Sequence, residues 1–136
     1  MRSIILTFLA LFSLIVHAST AFCPDPKTSS LQWGEIPAPW KISPFSPNTV
    51  QGDEKTRFVN AQILVAGYGQ GVVCTYRYSL GTYSIWWQTL VRIPTPSTEW
   101  NWMATNMGYL CSNSIADCAF SVGEVSRARK AKLSLP

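Results

Sequence analysis

Histidine is almost missing from this chain: the single one in 136 residues, His17, lies near the start. Charge is thin, at 13% of residues, and acids and bases are scattered along most of the length. Beyond the N-terminus no apolar run has the length needed to cross a bilayer as a helix. Between residues 24 and 53 no stretch can run as a long helix. Pro24, Pro26, Pro37, Pro39, Pro44 and Pro47, with Gly34 and Gly52, interrupt it throughout, and each proline lacks an N–H for a ladder. Each shortage excludes something. Serine, cysteine and zinc hydrolases commonly rely on histidine as base or ligand, and a chain whose one histidine leaves with a leader has none to offer.

What is there begins with a leader. Met1-Arg2-Ser3 is cationic, Ile4 to Val16 is an uncharged run, and Ser19-Thr20-Ala21 fits a small-x-small cleavage site. Residues 1–21 are therefore expected to be a secretory signal peptide, leaving 115 residues, enough for one domain. A lipid-modified Cys23 would need a small residue before it, and Phe22 stands there instead, so no lipoprotein is expected. The expected compartment is the periplasm or the extracellular medium, with no integral membrane segment after cleavage.

Removing the leader changes the charge balance. Residues 22–123 carry six bases and six acids, while Arg127, Arg129, Lys130 and Lys132 crowd the end of the chain. The sequence pI of about 9.0 thus belongs to a basic tail at 124–136, expected to be flexible, and not to the domain. A nucleic-acid groove needs its positive charge on the fold itself, so nucleic acid is not an expected partner.

Cys23, Cys74, Cys111 and Cys118 are an even set in a chain bound for an oxidising compartment, which makes disulfides the expectation. Zinc sites favour cysteines two to four residues apart, and the closest pair here has six between them. No metal or cofactor is expected. Three connectivities are possible. Cys23–Cys74 with Cys111–Cys118 is favoured, because the second closes a short polar loop and the first ties the N-terminus to a central strand.

The stretch Phe58–Pro94 organises the chain. Three β-branched and aromatic runs are separated by Gly67-Tyr68-Gly69-Gln70-Gly71 and by Leu80-Gly81-Thr82, the pattern of an antiparallel meander. In the third run Tyr83, Ile85, Trp87, Thr89 and Val91 share one face, read as core. Ser84, Trp86, Gln88, Leu90 and Arg92 share the other, read as half wet. The glycine-rich link joins strand to strand, so it is a hairpin and not a phosphate cradle, which must run into a helix. Short edge strands are expected around Leu31–Ile36 and Trp40–Ile42, with Trp33 and Trp40 folding over the sheet as a lid. A helical turn is expected at Met103–Met107 and a last strand at Ala119–Val122. The expected fold class is mostly β: a small antiparallel sheet or sandwich built on a three-stranded meander at about 58–93, with two disulfides, over residues 22–123.

Chemistry by paired carboxylates stays open on composition alone. Its candidates are Glu99 with Asp117 or Glu35, but nothing in the spacing brings them together. Binding is the better expectation, and no enzyme is expected. Six Trp, five Tyr and four Phe follow the leader, a high aromatic load for so short a chain. Trp33, Trp40, Trp86, Trp100 and Trp102 are the candidate binding surface, for a protein or a glycan.

Four short motifs carry a resemblance: Cys23-Pro24, Phe58-Val-Asn-Ala61, Val73-Cys74-Thr-Tyr76, and Cys111 followed by Asp117-Cys118-Ala-Phe120. Together they resemble a family of small exported proteins of Gram-negative bacteria with no assigned activity. Some members look like the EirA-type periplasmic proteins associated with type IV secretion in intracellular pathogens. The resemblance implies an accessory role in infection and supplies no catalytic residues. The expected function is that of an exported accessory or binding protein with a protein partner in the cell envelope, supporting a secretion or envelope assembly. The alternative is a secreted carbohydrate-binding or hydrolase-inhibiting module using exposed tryptophans.

Overall fold

A computed structural model of the chain describes residues 18–65, 70–95 and 97–123. The chain runs through β1 (Ala18–Ala21), a 3₁₀ turn (Ser30–Trp33), β2 (Lys41–Ile42), β3 (Arg57–Leu64) and β4 (Gly71–Tyr78). It continues through β5 (Gly81–Trp87), β6 (Met103–Ala104), β7 (Gly108–Cys111) and β8 (Phe120–Gly123). Six strands form one antiparallel sheet in the order β2-β5-β4-β3-β7-β6, and β1 pairs with β8 in a separate ladder. The mostly-β expectation holds, and the meander is β3–β4–β5. The expected hairpin link at 67–71 lies largely outside the described residues, as do the leader up to His17 and the basic tail.

Alternation along the strands divides the six-stranded sheet into two faces. On the inner face one register row runs Ile42, Ile85, Cys74, Ala61, Cys111 across β2, β5, β4, β3 and β7. The four residues from Ile85 to Cys111 in that row are buried. Both disulfides start from it: Cys74 bonds Cys23 of the N-terminal segment, and Cys111 bonds Cys118 of the β7–β8 connection. The favoured connectivity is the one present. The bridges bolt the covering layer to the sheet on either side of Ala61.

Aromatic rings fill the rest of the inner layer. Tyr76 stacks on Tyr83 with centroids 5.2 Å apart, and its hydroxyl donates to the Pro24 carbonyl at 2.5 Å. Trp40, Trp87 and Phe120 meet edge to face at 5.7–6.4 Å, an arrangement favoured by ring quadrupoles. Phe120 and Val122 of β8 are buried in the same cluster, which is how the small ladder packs on the large sheet. The core reading of Tyr83, Ile85 and Trp87 is borne out, although β5 ends at Trp87. Val91 returns only as an isolated bridge to Val122.

Two local expectations are corrected. Residues Leu31–Ile36 do not form an edge strand. Ser29 Oγ accepts the Leu31 N–H, and Gly34 closes the turn at φ 76°, a left-handed conformation suited to glycine. Met103–Met107 is not a helical turn. Thr105 Oγ1 accepts from the N–H groups of Met107 and Gly108, and the Thr105 N–H donates to the Gly108 carbonyl, closing a hairpin between β6 and β7.

Candidate functional site: the outer face of the main sheet

The inner face is covered; among the described residues the outer face has no strand above it. Its central register row crosses all six strands as Lys41, Trp86, Val73, Gln62, Leu110 and Met103. Lys41 and Met103 at the two ends are exposed, and the four between are half-buried. The next row along the strands is polar: Asn60, Thr75 and Ser84, with Thr75 and Ser84 hydroxyls hydrogen-bonded at 3.0 Å. The row after that is cationic, with Arg57 directly opposite Arg77 and both exposed. The face therefore grades over three rows from apolar through polar to positive.

Two features of this face are unusual for a finished surface. Like charges opposite one another on paired strands repel. Among the described residues the ion pair within 4.0 Å joins Arg92 to Glu99, and neither Arg57 nor Arg77 takes part in it. The nearby Asp53 carboxylate is committed elsewhere: it accepts the N–H groups of Lys55 and Ser79. A hydrogen bond with the Ser79 side chain leads the causes that hold it below the usual carboxylate range. Second, among the described residues the buried Trp86 Nε1 and Asn60 Oδ1 find no hydrogen-bond partner. Most buried polar atoms find a partner, so a donor and an acceptor left over on one face are informative.

The five sequence-predicted tryptophans separate. Trp40 and Trp102 are 7% and 3% exposed and belong to the core; the Trp102 Nε1–H donates to the Ala119 carbonyl at 3.2 Å. A small domain needs rings of this size inside, which is why these two are not surface. Trp33 and Trp100 are each 74% exposed, on the 3₁₀ turn and in the β5–β6 connection, and neither pairs with another ring among the described residues. Trp86 alone lies on the outer face. Lys41, Arg57, Gln62, Val73, Arg77, Met103 and Leu110 went unread in the sequence. The period-2 alternation applied to the third run finds Gln62, Val73 and Arg77 when extended to β3 and β4, whereas Arg57 joins their face only through the bulge between Phe58 and Asn60.

The carboxylates named for acid–base chemistry are dispersed in role. Glu99 Oε1 accepts from Arg92 at 2.8 Å and from the Thr95 N–H at 3.2 Å. Partial burial works to raise its pKa, but those two hydrogen bonds and the Arg92 charge outweigh it and leave the carboxyl below its ordinary value. Glu99 is thus tied into a loop, while Glu35 and Asp117 are exposed. A shallow cleft of about 620 Å³ opens beside the Cys111–Cys118 loop, its lining mixing Phe22, Phe58 and Ile115 with Asp25, Asn113 and Ser114. One oxygen of Asp25 is occupied by the Lys27 N–H.

Comparison with curated proteins and with solved structures finds no match. A family model matches residues 17–121, which takes in every strand from β1 to β7 and the first two residues of β8. The chain belongs to the family described as protein of unknown function (DUF3757).

Proposed function

We propose that this chain is an exported accessory protein that binds a protein partner of the cell envelope through the outer face of its main sheet, in support of a secretion or envelope assembly. One observation carries the reading: a continuous row through Trp86, Val73, Gln62, Leu110 and Met103 with no strand of the described residues above it. Apolar surface of this kind, rimmed by polar residues, marks docking sites. The charge on the face is positive only, from Lys41, Arg57 and Arg77, so the fitting partner is apolar at its centre and acidic at its rim.

Docking is by face and not by edge. The two edge strands, β2 and β6, are two residues long each, too short to template an added strand. Export is supported by two disulfides, which persist in oxidising compartments, and among the described residues no helix is long and apolar enough to cross a membrane. The resemblance to EirA-type proteins supports an envelope partner associated with type IV secretion. Affinity capture from envelope extract tests the proposal. Wild-type protein recovers a partner that Val73→Glu, folded by circular dichroism, does not. Recovery unchanged by Val73→Glu, or retention only on a glycan array, would overturn it.

A further inference from the structure

We propose that the leader is removed after Ala18, so that the exported chain begins at Ser19 and keeps strand β1. The inference rests on the export reading and moves the expected cut from Ala21 to a position three residues earlier. Two sites satisfy the small-x-small requirement: Ser19-Thr20-Ala21, and Val16-His17-Ala18 just before it. Sequence does not choose between them. The ladder between β1 and β8 does.

The pairs are Ala18↔Gly123, Ser19↔Val122, Thr20↔Ser121 and Ala21↔Phe120. On its other side β8 meets the β5–β6 connection, where the Arg92 N–H donates to the Ser121 carbonyl at 2.9 Å and Val91 bridges Val122. In a strand, the N–H and C=O of one residue point to the same side, and those of the next residue to the opposite side. The Ser121 groups therefore face Arg92, and those of Phe120 and Val122 face β1. It follows that Ala21↔Phe120 and Ser19↔Val122 are the hydrogen-bonded pairs of the ladder. Ala18 faces away from β8 and contributes no bond.

A cut after Ala21 would strip two N–H and two C=O groups of β8 of their partners, beside the buried Phe120 and Val122 side chains. A cut after Ala18 removes none, and the new α-amino group of Ser19 keeps a donor where its N–H was. A second observation agrees: the family match begins at residue 17 and includes all of β1, which a cut at Ala21 would discard.

Intact-mass analysis and N-terminal sequencing of the protein recovered from the periplasm of a Gram-negative host expressing the full chain test this. Ser19 as first residue supports the proposal. Phe22 as first residue overturns it while leaving export intact. A chain still starting at Met1 and absent from the periplasm overturns the export reading, and this one with it. A second measurement reads the ladder itself. A protein beginning at Phe22 is expected to melt lower than one beginning at Ser19 by about 5 °C or more. Equal melting would overturn the structural role assigned to β1.

Discussion

The two disulfides both start from buried cysteines of one inner row, yet they close loops of very different size: sequence separations of 51 for Cys23–Cys74 and 7 for Cys111–Cys118. If a bridge acts by restricting the unfolded chain, the long loop contributes about 4 kcal/mol at 25 °C and the short one about 2.4 kcal/mol. The perturbation is the paired change Cys23→Ala with Cys74→Ala, set against Cys111→Ala with Cys118→Ala. All four side chains are buried, so the packing lost is similar in the two variants, and the difference between them reports loop length. In a domain of about a hundred residues these figures correspond to melting points lower by roughly 18 °C and roughly 11 °C. Thermal unfolding followed by circular dichroism at neutral pH, without reductant, is the assay. Equal losses, or a larger loss from the short loop, would show that loop length in the unfolded chain does not set what each bridge contributes.

Three further outcomes follow from the core. Tyr76→Phe removes the hydroxyl that donates to the Pro24 carbonyl and leaves that acceptor unpaired, so urea unfolding should show a loss of about 1–3 kcal/mol. Burial raises the pKa of Tyr76 well above its ordinary value and pushes that of Tyr83 up to about 12, while both titrate near 10 in the unfolded chain. The folded state thus holds its protons longer: its stability is intact below about pH 10 and declines as pH rises from there through the folded values. Urea midpoints at pH 8 and pH 11.5 should show this fall, and Tyr83→Phe should reduce it. Gly108→Ala would drive a Cβ into the Ile63 carbonyl oxygen across the β3–β7 ladder, at a φ of 155° that other residues rarely adopt. The loss expected in the same urea assay is about 2 kcal/mol or more.

The meander was legible because β3, β4 and β5 are rich in β-branched and aromatic residues and bounded by turn residues, and because alternation assigns each side chain a face. The disulfide pairing was legible from parity and loop size. The 3₁₀ turn at Ser30–Trp33 was not, since it depends on a single Ser29 cap and on Gly34 in a left-handed conformation, in a stretch whose prolines punctuate without specifying a shape. The β6–β7 hairpin was hidden for a related reason: one threonine hydroxyl closes it, and Met103-Ala-Thr-Asn-Met107 contains residues that also suit a helix. Tryptophan drew attention to itself as a binding residue. Its size makes it equally useful inside, and only tertiary packing separates Trp40 and Trp102 from Trp33 and Trp100. The outer face was hidden because it depends on register across six strands, in which Met103 and Leu110 join Val73 through pairings that no local pattern reveals.

If a partner sits on the outer face, a photo-crosslinking residue placed at Gln62, midway along the row from Trp86 to Met103, lies beneath it. On irradiation in the expressing cells, with a protein carrying the same residue at Trp33 as comparison, a discrete protein adduct is expected from position 62 and none from position 33. An adduct from position 33 with none from position 62 would contradict docking on that face.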